Sequence, residues 1–303
     1  MYRVVVIGNP AYRKDTHEAG EGSQRIPSSP AINTSHVVSS LGVEESAIVG
    51  CCSSSTKQQL LADLDMCGIR ESHLIDCTET SSFRIAIPEG NNRSGELVGV
   101  GDRIPIRSIP EEFLRADCII LSPVLQEVDV ELVDWLVSSS DAEILWNPQL
   151  NLARSHRGVV ANADPRAIRH ILGLVDLIIP NRFEALLMTD CDDPFVAAET
   201  LVEWGVPLAV VTLDSDGSIV YDGKDFYLVP AHRAKAIETY GAGDAYMAAF
   251  AVKMLEGASW SKCGAFGAAA ASLMIERVGC ASQVSYSNVT NRSKTVYSGI
   301  SIR

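Results

Sequence analysis

Long basic runs are absent from this 303-residue sequence, which carries 25 Lys and Arg against 38 Asp and Glu, for a net charge of −13. Without a concentrated positive patch, nucleic acid is excluded as an expected partner. No apolar run is long enough to cross a membrane. The N-terminus, residues 1–8, has the short β-branched pattern of a first strand rather than that of a signal peptide. We therefore expect a cytoplasmic protein that binds neither nucleic acid nor membrane.

Paired cysteine motifs are also missing. The eight cysteines include no Cys-x-x-Cys pair, and adjacent Cys51 and Cys52 do not have the spacing of metal ligands. In a long chain without a signal sequence, we expect the thiols to be reduced and mostly buried. The full set is Cys51, Cys52, Cys67, Cys77, Cys118, Cys191, Cys263 and Cys280.

Apolar β-branched runs alternate with helical patterns along the chain. Such alternation predicts an α/β fold in which helices cover both faces of a mostly parallel sheet. We expect residues 1–303 to form one domain. The predicted strands are 4–7, 47–49, 118–121, 144–146, 177–179 and 208–212. The predicted helices are 32–41, 57–67, 130–137, 166–172, 183–188 and 196–204, followed by two closing helices at about 245–255 and 260–277.

One segment interrupts this alternation. Residues 82–88 and 96–100 read as two strands joined by a polar loop, which predicts a β-hairpin. Together with the polar, irregular residues 9–26, the hairpin could form a small β lid within about 9–28 and 80–104. The alternative is a surface hairpin that gates nothing.

The most informative stretch is Gly241-Ala242-Gly243-Asp244, which directly precedes an apolar helical run. Backbone N–H groups at a helix N-terminus lack intrahelical acceptors and favour an anion, and glycine lets a bulky anion approach. A carboxylate beside such an anion site suits a general base that takes a proton from an alcohol attacking a phosphoryl group. The plain alternative is a loop that ends in a helix cap.

Three further motifs accompany this one in a fixed order. Ser29-Pro30-Ala31-Ile32-Asn33-Thr34 lies near the N-terminus, Pro180-Asn181-Arg182-Phe183-Glu184 follows strand 177–179, and a Thr212-to-Gly217 turn follows strand 208–212. In this order the chain resembles the ribokinase family, the PfkB-type carbohydrate kinases, from residue 1 to about 279. The resemblance implies a three-layer α/β/α sandwich with a small β lid. No Walker A sequence occurs, so a P-loop kinase is not supported.

The resemblance implies roles for individual residues and implies ATP and Mg²⁺ as cofactors. Asp244 matches the catalytic base, and Gly241, Ala242 and Gly243 match the anion hole. Asn33 matches an asparagine that touches the acceptor substrate. The remaining matches concern the nucleotide: Asn181 and Glu184, the latter acting on Mg²⁺ through water, Thr212 and Gly217 in the loop that holds the nucleotide, and Ala268 to Ser272 beside adenine.

Each nucleotide-side match has a structural alternative. Asn181 and Glu184 could form a helix capping box, the 212–217 segment could be a plain turn between strands 208–212 and 218–222, and the Ala-rich helix could be core packing.

Two departures from the family concern the donor side. Glu238 and Tyr240 stand where the family usually has Asp and a Thr, Gly or Val, in a region that holds a monovalent cation in many members. Glu238 is therefore a candidate K⁺ ligand. Asp214 replaces a glycine beside the nucleotide phosphates, where an acid would repel phosphate unless it turns to solvent or to a cation.

Two further departures concern the acceptor side. Ser28-Ser29 replaces paired glycines, and the acid usual after the first strand is replaced by Arg13, with Asp15 as a shifted substitute. Because that acid grips two sugar hydroxyls, the change predicts a different acceptor, and Arg13 would suit one with a negative charge. Gln149, in Asn147-Pro148-Gln149 after strand 144–146, resembles an acceptor-facing stretch of some members and favours a polyol or sugar.

From the resemblance we expect an ATP-dependent kinase that phosphorylates an alcohol group of a small sugar, polyol or nucleoside. The alternative is a nucleotide- or metabolite-binding regulatory protein on a kinase fold with weak or lost activity, which the four departures motivate. Family members often pair through the lid, so a homodimer is the expected assembly.

Overall fold

The computed structural model describes residues 2–16, 25–86, 94–125, 127–149 and 164–303. Fourteen strands lie in this part of the chain: β1 (Val4–Ile7), β2 (Tyr12–Thr16), β3 (Arg25–Pro27), β4 (Ser46–Ser53), β5 (Glu71–Cys77), β6 (Ser82–Ala86), β7 (Ser94–Gly99), β8 (Cys118–Leu121), β9 (Glu143–Trp146), β10 (Leu177–Ile178), β11 (Leu208–Thr212), β12 (Ser218–Tyr221), β13 (Phe226–Val229) and β14 (Ser301–Ile302).

Nine α-helices accompany the strands within the same residues. They are α1 (Pro30–Ser40), α2 (Ser54–Met66), α3 (Val130–Ser139), α4 (Pro165–Leu172), α5 (Arg182–Thr189), α6 (Pro194–Glu203), α7 (Ala242–Leu255), α8 (Trp260–Met274) and α9 (Tyr286–Ser298). Among the described residues, no helix combines the length and the apolar character needed to cross a membrane.

The main sheet has ten strands in the order β14-β13-β12-β11-β10-β9-β8-β1-β4-β5. Every neighbouring pair from β5 to β11 is parallel, and β11 to β14 are antiparallel. Successive side chains of the fully buried β1 enter two separate cores, Val4 and Val6 on one face and Val5 and Ile7 on the other. Helices α1, α2, α7, α8 and α9 cover the first face, and α3 to α6 cover the second. The predicted three-layer α/β/α sandwich is confirmed.

The parallel strands also bring polar residues to one edge. Because parallel strands end at the same edge of a sheet, the residues that follow β9, β10 and β11 are neighbours about 5 Å apart. Asn147 follows β9, Asn181 follows β10, and Thr212 ends β11. A parallel bridge joins Asn181 to Thr212, and the Asn147 N–H donates to the Leu121 carbonyl at 2.9 Å. The carboxyl edge of the sheet therefore carries both halves of the predicted site.

A second sheet of four strands, in the order β3-β2-β6-β7, occupies the region where a lid was predicted. The 82–88 and 96–100 hairpin is confirmed as the antiparallel pair β6 and β7, while most of its predicted loop lies outside the described residues. The prediction that residues 9–26 are irregular is wrong for the described part, because β2 pairs in parallel with β6 and antiparallel with β3. Backbone pairing to the hairpin makes β2 a strand, although its polar sequence, Tyr-Arg-Lys-Asp-Thr, does not predict one.

The end of the chain also differs from the prediction. Helices α7 and α8 are present, but α8 ends at Met274 instead of residue 277, and they do not close the fold. Helix α9 packs on α8 with Val289 and Val296 buried, and β14 then pairs with β13 at the sheet edge. The apolar positions of α9 are few and well separated, so its helical period is faint in the sequence.

The cysteine prediction requires one correction. Cys67, just after α2, is bonded to Cys280, which lies between α8 and α9, with a Cα–Cα distance of 5.3 Å. The pair is 213 residues apart, and only the fold brings the two thiols together. The other six are free, as predicted, and Cys51, Cys52, Cys118 and Cys263 are buried.

Candidate active site

Asp244 lies at the centre of a cage of side-chain amides. Asn33 Nδ2 donates to Asp244 Oδ2 at 2.8 Å, and Asn147 Nδ2 and Gln149 Nε2 each donate to Oδ1 at 2.9 Å. Asn33 comes from α1, and Asn147 and Gln149 follow β9, so two separate elements fix the carboxylate that α7 carries. The structure thus joins the predicted base, Asp244, to the predicted acceptor residues Asn33 and Gln149.

The pKa of Asp244 reflects two opposing effects. The residue is only 2% exposed, and burial raises the pKa of its carboxyl from the usual value of 3.8 to about 6. The hydrogen bonds from Asn33 and Asn147 act in the other direction, because they stabilise the charged form. The carboxylate is therefore ionised at neutral pH yet close enough to its pKa to accept a proton, as general-base catalysis requires.

Helix α7 begins directly beside this carboxylate. Its N-cap, Gly241, has φ +88°, a left-handed conformation that L side chains rarely adopt, and a Cβ there would lie 3.0 Å from Asn33 Nδ2. A Cβ on Gly243 would meet nothing within 4 Å. The first-turn N–H groups of Gly243 and Asp244 have no acceptor within the helix, and the open space beside Gly243 is what an anion hole requires. The Ala242 N–H differs from the prediction, since it points back to the Thr239 carbonyl at 3.4 Å.

The pair Asn181 and Glu184 forms a capping box at the start of α5. Asn181 Oδ1 accepts the Glu184 N–H, and Glu184 Oε2 accepts the Asn181 N–H, both at 2.9 Å. The structural alternative weighed for this motif is therefore present. A cavity of about 670 Å³ adjoins the box and is lined by Asn181, Arg182, Phe183, Leu186, Asp192 and Asp214. Its size is that of a small-molecule site.

The turn after β11 is held in place by close packing. The Thr212 N–H donates to the Pro180 carbonyl at 3.0 Å, which places Thr212 beside Asn181. Gly217 has φ +101°, and a Cβ there would lie 2.0 Å from the Val229 carbonyl oxygen, so packing alone requires glycine. Asp214 is exposed on this turn and lines the cavity that adjoins Asn181.

The predicted adenine wall on α8 is buried. Ala268 is 7% and Ser272 4% exposed. Ser272 Oγ donates to the Ala269 carbonyl at 2.7 Å and accepts from the Arg292 guanidinium of α9 at 3.0 Å. Ser272 therefore takes part in the packing between α8 and α9, which the sequence prediction did not include because α9 was missed.

Arg13 does not face the acceptor as a free charge, and that prediction is corrected. The side chain is 1% exposed, and its guanidinium forms an ion pair with Glu238 Oε2 at 2.9 Å. Glu238 Oε1 accepts the Tyr240 N–H at 3.1 Å. The K⁺ site predicted at Glu238 has no support, because a guanidinium already neutralises this carboxylate. The backbone of Asp15 belongs to β2, and its side chain lies outside the described residues.

Asn147 is the site residue that sequence reasoning left unassigned. The signal was an amide directly after a buried strand, at the edge where ligands of parallel sheets bind. The contact to Asp244 could not be derived, because it joins residues far apart in the chain.

The side chains near the cavity decide which metal ion the site could hold. In the described parts of the chain, no group of three or more His, Cys, Asp or Glu side chains is arranged to hold a metal ion. Glu184, Asp192 and Asp214 are instead single carboxylates near one cavity. Such a set fits Mg²⁺, which keeps most of its waters and is held by one or two carboxylates together with substrate phosphates.

An α/β sandwich with a buried carboxylate at a helix N-terminus suits one class of protein, the small-molecule kinases that transfer a phosphoryl group to an alcohol. Residues 30–286 match the pfkB family carbohydrate kinase. The chain belongs to this family, and the sequence-based resemblance is confirmed.

Similarity to curated relatives is moderate. The chain is 29% identical over 168 residues to the cytidine kinase of Thermococcus kodakarensis, covering 55% of this chain and only 58% of that kinase. It is 27% identical over 248 residues to an uncharacterized sugar kinase of Archaeoglobus fulgidus, covering 80% of this chain and 95% of the relative. Its fold matches Arabidopsis thaliana ribokinase complexed with ribose and ATP, with a TM-score of 0.73 at 21% identity over 97% of this chain and 99% of the other.

Proposed function

We propose that this protein is an ATP-dependent kinase that phosphorylates an alcohol group of a small sugar, polyol or nucleoside, with Asp244 as the general base. The observation that carries the proposal is the position of this carboxylate, buried, held by three amides and adjacent to the first turn of α7. The names of the relatives, a cytidine kinase and a sugar kinase, agree with the acceptor class.

The amide cage also distinguishes the two carboxylate oxygens. Oδ1 accepts two of the three amide hydrogen bonds, and Oδ2 accepts one. Because a carboxylate has about four acceptor directions, Oδ2 retains a direction for an alcohol. The acceptor hydroxyl would donate its proton to Oδ2 while its oxygen attacks the phosphoryl group. The N–H groups of Gly243 and Asp244 would stabilise the charge that develops on that group.

The donor is proposed to lie between this helix N-terminus and the 670 Å³ cavity at Asn181. Glu184 would act on Mg²⁺ through water, and Thr212 would border the nucleotide. When bound, Mg²⁺ neutralises phosphate charge. The four-stranded sheet is proposed to act as a lid over the acceptor. Its edge strand β7 is proposed to form the contact of a homodimer, and light scattering would detect the mass of that dimer.

The test is a screen that measures ADP release with nucleosides, pentoses, hexoses and inositols. It compares the wild type with Asp244→Asn and with the matched control Asp225→Asn, which alters a partly exposed carboxylate paired with Lys224. Ser272, which was predicted to lie beside adenine, is covered by Arg292. Inorganic pyrophosphate is therefore included in the screen as a phosphoryl donor that has no adenine.

We expect turnover by the wild type and the control, and a loss of several orders of magnitude in kcat for Asp244→Asn with the fold intact. Substantial activity in that variant would refute the role of Asp244. Tight ATP binding without turnover of any acceptor would instead indicate the regulatory alternative.

A further inference from the structure

Tyr240 occupies the position directly before the helix N-cap Gly241 and packs against the lid sheet. Its ring centroid lies 5.3 Å from that of Phe83, a fully buried residue of β6. Both rings belong to one small apolar cluster with Ala11, Val124 and Leu125. This cluster joins the segment after β1, the lid and the segment after β8, so it lies where those three elements meet the start of α7.

The hydroxyl of Tyr240 is the unusual part of this cluster. Its oxygen is buried and has no hydrogen-bond partner among the described residues. A buried hydroxyl without a partner is costly, so native structures nearly always provide one from protein, water or ligand. Burial, together with the negative charge of Asp244, raises the pKa of Tyr240 well above its usual value, so the group is a neutral phenol that can donate a hydrogen bond beside the base.

Two contacts hold Tyr240 in place, one to its backbone and one to its ring. The Tyr240 N–H is bound by Glu238 Oε1 at 3.1 Å, and the Arg13 guanidinium lies 5.6 Å from the ring centroid. The ion pair between Arg13 and Glu238 neutralises both charges within this corner of the site. The surroundings of Asp244 therefore comprise amides on one side and a phenol with an apolar wall on the other, with no uncompensated positive charge for an anionic acceptor at Arg13.

We propose that Tyr240 determines acceptor specificity, an inference that rests on the proposed function. Its hydroxyl donates a hydrogen bond to a second oxygen of the acceptor while Asp244 binds the reacting hydroxyl, and its ring, supported from behind by Phe83, packs on an apolar face of the same molecule. The acceptor is then an uncharged alcohol with at least two oxygens on one side and a C–H or ring face on the other.

The test compares wild type with Tyr240→Phe and with the control Tyr227→Phe, which removes a hydroxyl bound to Asp222 on the distant strand β13. Ribose, myo-inositol and cytidine are the acceptors, each with its single-deoxy analogues. In the wild type, one deoxy analogue of the preferred acceptor should lose about tenfold in kcat/KM, the value of one hydrogen bond. Tyr240→Phe should lose the same factor with the parent compound, mostly in KM, and should no longer distinguish that analogue from the parent.

Calorimetric binding of the same compounds makes the result independent of turnover. Weaker binding to Tyr240→Phe than to Tyr227→Phe supports the inference, even if no compound is phosphorylated. Equal kcat/KM and equal binding in the two variants would overturn the inference and leave the proposed function standing. The assigned acceptor class is wrong if none of these compounds binds the wild type. Calorimetry also compares the anion ribonate with the uncharged alcohol ribitol, and equally tight binding of the two would likewise make the assigned class wrong.

Discussion

The raised pKa of Asp244 makes a prediction about stability that needs no substrate. The pKa is about 6 in the fold and 3.8 ordinarily, so the folded state holds a proton that the unfolded chain has released. For a raised pKa, the stabilising contribution is fully present below the unfolded value and is lost as the pH rises through about 6. The slope is about 1.4 kcal/mol per pH unit between those values.

Asp244→Asn isolates this contribution, because asparagine does not titrate. We expect the free energy of unfolding of the wild type, relative to the variant, to fall by about 1.4 kcal/mol between pH 5 and pH 8, mostly below pH 6.5. The other titrating groups cancel in the difference between the two free energies of unfolding. The new amide of Asp244→Asn would otherwise confuse the comparison, but exchanging one carboxylate oxygen for an NH2 donor adds only an offset that does not depend on pH. Urea unfolding at constant ionic strength measures this difference at each pH.

A difference that is independent of pH from 5 to 8 would refute the reasoning, since it would mean that burial does not penalise the charged carboxylate. If the amide donors outweighed burial and depressed the pKa, the difference would also be flat from pH 5 to 8, and it would change in the opposite direction only below about pH 3.8. Asp225→Asn is the control, because its carboxylate is partly exposed and pairs with Lys224 far from the amide cage.

Three further outcomes follow from the site and its surroundings. Gly241→Ala should lose about 1–2 kcal/mol of stability, because alanine is strained in the left-handed conformation. Gly243→Ala should keep the wild-type Tm, because its Cβ meets nothing within 4 Å, yet it should lose turnover because the methyl group enters the anion site. Equal losses of Tm in the two variants would contradict this expectation. Asn147→Ala should shift the acidic limb of the kcat/KM profile upward by about one pH unit, because a hydrogen bond that lowers the pKa of the base is gone; an unchanged limb would count against its role. Replacing Cys67 and Cys280 by serine should lower the free energy of unfolding by about 5 kcal/mol for a 213-residue separation, and an unchanged urea midpoint would exclude the bond.

The central strands could be predicted because their sequences consist almost wholly of apolar residues. Val-Val-Val-Ile in β1 and Cys-Ile-Ile-Leu in β8 are buried on both faces, so four residues suffice to identify a strand. Strand β5, Glu-Ser-His-Leu-Ile-Asp-Cys, lies at the sheet edge with only one buried residue, and its sequence does not distinguish it from a loop. Edge strands receive their structure from pairing, which a single sequence does not contain.

The candidate site divides in a similar way. Asp244 and the glycines before it could be predicted, because a helix N-terminus and its acid are adjacent in sequence. Arg13 was placed wrongly, because its charge was considered alone, while the carboxylate that neutralises it, Glu238, comes from the far end of the chain. Gly217 shows the converse, a residue that matches a functional motif and is also required by a backbone only 2.0 Å from its Cβ position.

The ion pair of Arg13 also bears on how the four-stranded sheet can move. Arg13 belongs to β2, and Glu238 belongs to the segment that leads into α7, so the pair fastens one corner of the small sheet to the body of the protein. An outward movement that carried β2 along would separate two buried charges, at a cost of about 3–5 kcal/mol. A rotation about this corner avoids that cost. The pair would then act as a pivot, and the amplitude of opening would increase across the sheet from β2 through β6 to the edge strand β7.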